Sequence, residues 1–273
     1  MSFLAALPER YRLILCDLWG VVHDGYSLYP RTADRLRQWR GEGRLLVLIT
    51  NAPRGVDAVE EHLGKVGLPR DCWDAIVSGG EAGIAAMQAL GEAVGFLGTR
   101  ADREVLQRRG MRIREDDEFT HLACTGLEES RPSVAEYGAD LRRWAERGVH
   151  MHCLNPDRVV IHGDVAQPCA GAIADDYEKL GGDVTWYGKP FAPIYRHALE
   201  LAGSPPPDAV LAIGDGLHTD ILGAARMGFD AVFVAGGIHG GRPFPDSFAA
   251  DHGLGEWRPV AVVDRLGVEA IAC

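Results

Sequence analysis

The stretch LILCDLWGV, residues 13–21, begins with a short apolar run that ends at a carboxylate. Leu13 to Cys16 have the length and composition of a buried strand, and Asp17 follows directly. Similar apolar runs lie at residues 45–49, 209–213, 231–234 and 261–263. Amphipathic segments that are typical of helices lie around residues 32–40 and 56–66, and again after Asp215. This alternation predicts an α/β protein whose Rossmann-like core is a parallel sheet with crossover helices.

The middle of the chain has a pattern of its own. Strands are predicted at residues 93–97, 121–124 and 150–154. Helices are predicted at residues 101–109, 134–147 and 170–180. We interpret this region as an α+β cap domain inserted into the core. The interpretation places the core at residues 1–78 and 185–273 and the cap at residues 79–184.

The composition is that of a globular protein with a negative net charge. Of the 273 residues, 47% are hydrophobic and 25% are charged, and the net charge is −11. A chain of that charge without a local basic patch is not expected to bind nucleic acid. The six cysteines form no CxxC pair, and no apolar stretch approaches the roughly 20 residues of a membrane span. We therefore expect a cytoplasmic protein with no membrane partner. The sequence does not determine the oligomeric state, and a homo-oligomer is one of the possibilities.

Polar side chains follow three of the predicted core strands. They are Asp17, then Thr50 with Asn51, then Asp215. In an open parallel sheet ligands bind at the carboxyl ends of the strands, so these groups are expected to converge. Two carboxylates that meet repel each other unless a cation lies between them, and Mg²⁺ suits that role because it also bridges to phosphates. Lys189 offers a fixed positive charge. The pattern predicts a magnesium and phosphate site.

Four motifs, taken in order, resemble those of a known family. They are Asp17-Leu-Trp-Gly-Val21, Leu48-Ile-Thr-Asn51, Gly188-Lys-Pro190 and Gly214-Asp-Gly-Leu-His-Thr-Asp220. This ordered set resembles the haloacid dehalogenase superfamily. The insertion between the second and third motifs resembles the cap of its class IIA, the NagD-type phosphatases. Within that insertion, Asn155-Pro-Asp157 is a further family-like signature.

The resemblance implies an activity and a set of site residues. It implies a Mg²⁺-dependent phosphate-monoester hydrolase that acts on a small phosphorylated metabolite through an aspartyl-phosphate on Asp17. Phosphoryl transfer needs in-line positioning and charge neutralisation, which such a set can supply. The resemblance assigns catalysis to Asp17, Thr50 and Lys189. It assigns metal binding to Asp17, Asp215 and the Trp19 carbonyl, with Asp220 in a supporting role. The residues implied to bind the phosphate or the substrate are Thr50, Asn51, Lys189, Asn155 and Asp157.

One position departs from the family pattern. Phosphatases of this superfamily usually carry a second Asp two residues after the nucleophile, where it serves as general acid and base. Here that position is Trp19, and an indole cannot exchange a proton in this role. The sequence therefore predicts slow turnover. His23 and Asp24 offer a relocated acid, although a His-Asp-Gly turn is the favoured interpretation of that stretch.

Two other functions are consistent with the same residues. A phosphometabolite-binding or regulatory protein that has lost most turnover is favoured by Trp19. A dehalogenase-type hydrolase is the second, because an aromatic residue after the nucleophile resembles that branch of the superfamily. Asp215 and the class IIA-like cap argue against the dehalogenase, since a halide leaving group needs no metal.

Two further groups of residues allow alternative interpretations. His121, Cys124, His150, His152 and Cys153 are types that ligate zinc, but they lack the usual paired spacing, and packed strand residues are the favoured interpretation. The Asn155-Pro-Asp157 signature is equally consistent with a substrate contact and with an Asx-type turn.

Overall fold

A computed structural model describes residues 3–53, 55–162, 165–237, 241 and 243–267. The strands are β1 Leu13–Asp17, β2 Leu45–Thr50, β3 Ala75–Ser78, β4 Gly95–Leu97, β5 His121–Cys124, β6 His150–Cys153, β7 Val159–His162, β8 Val165–Pro168, β9 Asp183–Trp186, β10 Val210–Gly214, β11 Asp230–Val234 and β12 Ala261–Val263. The α-helices are α1 Thr32–Gly41, α2 Val56–Lys65, α3 Gly79–Leu90, α4 Arg100–Arg108, α5 Gly138–Glu146, α6 Ala170–Lys179, α7 Ala192–Leu201, α8 Leu222–Arg226 and α9 Phe248–Asp251. Shorter helical turns lie at Phe3–Ala5, Arg70–Cys72, Val134–Tyr137, Pro207–Ala209 and Leu217–Ile221.

The chain packs into two compact units. The first consists of Met1–Thr50, Asp57–Val77 and Tyr195–Cys273, and the second of Asn51–Val56 and Ser78–Ile194. The first unit is built on a six-stranded sheet in the order β12-β11-β10-β1-β2-β3. Strand β1 pairs in parallel with β10 and with β2, and β10 continues in parallel to β11 and β12. Both β1 and β10 are buried along their whole length, as their continuous apolar runs require.

The second unit has a sheet of its own. Four parallel strands run in the order β4-β5-β6-β9, and β7 and β8 form a separate antiparallel hairpin. One apolar cluster joins the strands to α5 and α6, and another joins them to α3 and α4. Alternate residues of β5 divide between the two clusters, since Leu122 belongs to the first and Ala123 to the second. The sheet is therefore buried on both faces.

The predicted fold class, an α/β protein with a parallel-sheet core, is confirmed. Two segments that we assigned to the core, residues 51–56 and 185–194, pack with the second unit instead, as does Ser78 at the predicted boundary. The second segment does so because β9 pairs with β6 and the Tyr187 N–H donates to the Cys153 carbonyl at 2.8 Å. The first does so because the Asn51 side chain is hydrogen-bonded to Lys189 and Asp157.

One predicted helix also differs from the structure. The helix predicted at residues 134–147 is divided into the turn Val134–Tyr137 and α5, with the Ser133 hydroxyl and the Glu136 carboxylate forming a capping box at its start. Among the described residues, no helix is both long enough and apolar enough to cross a membrane.

Candidate active site

Three buried carboxylates meet at one edge of the first unit's sheet. Asp17 is the last residue of β1, and Asp215 follows β10, the strand beside it. Asp220 lies in the helical turn Leu217–Ile221 that comes next. One oxygen of each lies within 4.8 Å of the others, and all three side chains are buried. The predicted convergence at the strand ends thus appears in the geometry of Asp17 and Asp215.

Glycines make room for this carboxylate cluster. A Cβ on Gly20 or on Gly237 would overlap the Asp215 carboxylate, and Gly20 also has a left-handed φ of 88°. A Cβ on Gly214 would overlap the Asp220 side chain. Asp220 is oriented by the Gly216 N–H, which donates to its Oδ2 at 3.1 Å. The loops after β1 and β11 and the last residue of β10 therefore approach the carboxylates closely because they lack side chains there.

The donor set fits a hard divalent cation. Burial of three carboxylates so close together is unfavourable for their charged forms unless a positive charge compensates them. Oxygen-only ligands at this charge suit Mg²⁺, which binds through one or two carboxylates and keeps several waters. Within the ranges that the structure describes, this cluster alone brings three or more candidate ligand atoms of His, Cys, Asp or Glu within 4.8 Å.

Thr50 lies at the same edge of the sheet. Asp17 pairs with Ile49 in the parallel register of β1 and β2, and Thr50 is the next residue, the last of β2. Its side chain is partly buried. The register therefore brings the hydroxyl-bearing residue to the strand beside Asp17, as the motif order led us to expect.

Trp19 stands in the loop that follows Asp17 and is 43% exposed. Its ring packs on Gly25, where a Cβ would overlap the indole, and contacts the His23 ring edge-on at 5.9 Å. His23 is buried, and burial, reinforced by His62, lowers its pKa to about 4. Its Nδ1 accepts the Gly25 N–H at 2.9 Å. The imidazole is thus engaged in shaping the loop.

Asp24 caps the same turn. Its Oδ1 accepts the Tyr26 N–H at 2.9 Å and the Ser27 N–H at 2.8 Å. These backbone hydrogen bonds, that from Ser27 first, lower the pKa of Asp24. This is the Asx-type arrangement that turn chemistry favours for a His-Asp-Gly stretch.

In the second unit, Asn51 holds the backbone of Lys189. The Asn51 Oδ1 accepts the Lys189 N–H at 2.7 Å, and its Nδ2 donates to the Lys189 carbonyl at 3.2 Å and to Asp157 Oδ1 at 3.0 Å. Lys189 itself is buried. The amide of Asn51 is therefore used by the chain, a positioning role that the sequence analysis did not foresee, and its predicted contact with phosphate stays a prediction.

The Asn155-Pro-Asp157 signature forms an Asx-type turn. The Asn155 Oδ1 accepts the Asp157 N–H at 3.1 Å, which is one of the two alternatives we considered. Asp157 is tied to Asn51 by the hydrogen bond described above. A substrate contact by Asn155 or Asp157 stays a prediction.

Three histidines of the second unit, on β5 and β6, cluster on one sheet face. His121 Nδ1 lies 2.9 Å from His152 Nε2, His152 Nδ1 lies 3.1 Å from the Tyr187 hydroxyl, and His150 contacts Asp183 and Thr185. Protein groups occupy these ring nitrogens, which agrees with packed strand residues rather than zinc ligands. The described cysteines are buried and form no disulfide with one another; they are Cys16, Cys72, Cys124, Cys153 and Cys169. Cys273 lies outside the described residues.

Comparison with known proteins shows the family to which the chain belongs. A model of haloacid dehalogenase-like hydrolases matches residues 14–112, and a HAD-hydrolase-like model matches residues 186–267. A crystal structure of a haloacid dehalogenase-like hydrolase from Brucella suis 1330 superimposes with a TM-score of 0.77 at 30% identity, covering 94% of this chain and 96% of that one.

Two curated relatives are similar over most of the sequence. Ribonucleotide monophosphatase NagD of Escherichia coli (strain K12) is 27% identical over 231 residues, or 82% of this chain and 88% of that protein. D-glycerol 3-phosphate phosphatase of Mycobacterium tuberculosis is 26% identical over 244 residues, or 86% of this chain and 66% of that protein. The chain belongs to the haloacid dehalogenase-like hydrolase family, in its NagD-type class IIA. It is accordingly a hydrolase.

Proposed function

We propose that this protein is a Mg²⁺-dependent phosphate-monoester hydrolase that acts on a small phosphorylated metabolite. The observation that carries the proposal is the buried cluster of Asp17, Asp215 and Asp220 at the strand ends. Two curated relatives are named as phosphatases of small phosphate esters, which supports the same reaction class. The net charge of −11 does not favour a polyanionic partner such as nucleic acid.

In the proposed reaction Asp17 is the nucleophile. One of its carboxylate oxygens attacks the phosphorus while the bond from phosphorus to the leaving oxygen breaks, and the leaving group departs with the electron pair and takes up a proton. Water then attacks the phosphorus of the aspartyl-phosphate. The phosphorus–Asp17 bond breaks, inorganic phosphate is released, and the water proton passes to solvent. Splitting one displacement into two is the usual benefit of covalent catalysis.

The other site residues have binding roles in this proposal. Asp17, Asp215 and the Trp19 carbonyl would hold Mg²⁺, which when bound neutralises charge on the phosphoryl oxygens. Asp220 supports that cluster. Thr50 donates its hydroxyl to the phosphate, and Lys189 supplies a positive charge to it.

Trp19 makes this a slow hydrolase in our proposal. A positioned general acid typically contributes about 10²–10⁴-fold, and the indole offers none. His23 and Asp24, the nearest substitutes in the sequence, are engaged in the turn that follows. The presence of Trp19 in place of an acid also favours a second candidate, a phosphometabolite-binding protein with little turnover. The dehalogenase alternative is less well supported, because a halide leaving group needs no cluster of three carboxylates.

A phosphate-release assay with aryl and alkyl phosphates tests the proposal. We expect release in the presence of Mg²⁺, loss of release on addition of EDTA, and loss in an Asp17→Asn variant, which keeps the size of the side chain but not its charge. Thermal-shift binding of the same esters is measured in parallel. Binding without release would favour the binding protein, and EDTA-insensitive release of halide from haloacids would favour the dehalogenase.

A further inference from the structure

We infer that His152 is a positioning residue for the Lys189 segment and acts through the hydroxyl of Tyr187. The inference rests on the proposed role of Lys189 in phosphate binding. His152, Tyr187 and Lys189 all belong to the second unit, and neither His152 nor Tyr187 was assigned to the site from the sequence motifs.

Tyr187 is anchored on three sides. Its hydroxyl lies 3.1 Å from His152 Nδ1 and also hydrogen-bonds the Thr185 side chain. Its ring stacks on the His152 imidazole at a centroid distance of 5.7 Å and an angle of 21°. Its N–H donates to the Cys153 carbonyl at 2.8 Å. On the side of α3, a Cβ at Gly83 would lie 3.4 Å from the ring, so the helix packs closely there. The ring is 6% exposed.

The hydrogen bonds around His152 run in one direction. The imidazole is 4% exposed, and a neutral imidazole has one donor nitrogen and one acceptor nitrogen. His121 Nδ1 lies 2.9 Å from its Nε2, and His121 Nε2 in turn faces the Glu92 carboxylate at 3.5 Å. Because a carboxylate only accepts, the neutral tautomer of His121 that suits Glu92 carries its N–H at Nε2 and has its lone pair at Nδ1, toward His152. His152 then donates from Nε2 and accepts the Tyr187 O–H at Nδ1.

Only one residue separates this anchor from Lys189. It is Gly188, whose lack of a side chain allows close contact with Pro156 and Asn51. On the far side of the glycine, Asn51 holds both the N–H and the carbonyl of Lys189. The Lys189 backbone is therefore fixed by Asn51 directly and by His152 through Tyr187. Since glycine leaves the backbone free to adopt several conformations, loss of the Tyr187 anchor should loosen the position of Lys189.

The test measures the dissociation constant of inorganic phosphate by calorimetry, in the presence of Mg²⁺, together with KM and kcat for an aryl phosphate. Tyr187→Phe removes the hydroxyl and keeps the ring. We expect phosphate affinity to fall roughly three- to tenfold, the range of one lost neutral hydrogen bond, and KM to rise more than kcat falls. His152→Leu should have the same effect. His152→Asn, whose amide oxygen takes the place of Nδ1, should restore part of the affinity.

Tyr137→Phe is the matched control, because it removes a buried hydroxyl of the same unit that binds the Glu128 N–H and the Arg131 carbonyl rather than His152. It should leave phosphate affinity unchanged. If Lys189→Ala abolishes phosphate binding while Tyr187→Phe binds like the wild type, the inference is overturned and the proposed function stands. If Lys189→Ala also binds like the wild type, both are overturned. If His152→Leu fails to fold, the comparison of Tyr187→Phe with the wild type and with the control variant still tests the inference.

Discussion

Trp19 has the clearest functional consequence of any single residue. Replacing it by Asp should restore a proton donor beside the nucleophile and raise the hydrolysis of alkyl phosphates, whose leaving groups need a proton. The expected increase in kcat/KM is up to about 10²-fold, the lower end of what a positioned general acid supplies. Aryl phosphates, which leave without a proton, should change least. The measurement is the ratio of alkyl to aryl kcat/KM for the wild type and the variant.

Trp19→Asn is the control for this experiment, because asparagine has the size of aspartate and also removes the indole ring, but it supplies no acid. An equal gain in both variants would show that removal of the indole, not the new acid, opens the site. A His23→Ala/Asp24→Ala variant tests the relocated acid. Rapid alkyl-phosphate hydrolysis by the wild type that disappears in this variant would contradict our interpretation of the turn.

The loops after the core strands determine how closely the backbone approaches the metal cluster. Gly237, after β11, has no left-handed φ, and a Cβ there would overlap the Asp215 carboxylate. Gly237→Ala should therefore displace the carboxylate without straining its own backbone. Overpacking of this kind costs about 1–3 kcal/mol, and about 1.4 kcal/mol corresponds to a factor of ten in affinity. We expect Mg²⁺ affinity to fall about tenfold, measured as the half-saturating Mg²⁺ concentration for phosphate release.

Gly64→Ala in α2 is a matched control, because beyond the neighbouring backbone of its own helix no atom would lie within 4 Å of its new Cβ. It should leave the Mg²⁺ requirement as it is in the wild type. Unchanged Mg²⁺ affinity in Gly237→Ala would mean that Asp215 is not a ligand, or that it moves without consequence.

Elements with a strong local pattern could be predicted from the sequence, and those shaped by tertiary contacts could not. The apolar runs of β1, β2 and β10 indicated both the sheet and the meeting of Asp17 with Asp215. Helix α3 was missed because its glycines disfavour a helix locally. In the structure Gly79 and Gly83 let α3 pack against Leu154 and the Tyr187 backbone, a contact between residues far apart in sequence.

The same distinction applies to the candidate site. Motif order indicated Lys189, but not that Asn51 would hold its backbone 138 positions away in sequence. The histidine cluster depends on strand register, since His121 pairs with His150 across β5 and β6, and no spacing along one strand reveals that. Side-chain hydrogen bonds between distant strands are therefore where sequence reasoning was weakest.

For the molecule as a whole, the histidine cluster predicts how stability changes with pH. Burial, reinforced by His150 and His121 and opposed by Asp183, lowers the pKa of His152 to about 3. Tyr187 and Glu92 complete the polar surroundings of the cluster. In the unfolded chain an ordinary histidine titrates near 6.5. Between these values the unfolded state binds a proton that the folded state does not, so the free energy of unfolding decreases as the pH falls.

The stabilisation from neutral His152 is complete above about pH 6.5 and is lost progressively down to about pH 3. Over this range the free energy of unfolding falls by up to about 1.4 kcal/mol per pH unit. Urea unfolding at pH 7.5 and pH 5.0 measures it. From pH 7.5 to pH 5.0 the wild type should lose about 2 kcal/mol more than His152→Asn, which cannot take up the proton. His197→Asn, which replaces a histidine of α7 outside the cluster, should lose as much as the wild type. Equal losses in the wild type and His152→Asn would show that burial does not keep this imidazole neutral.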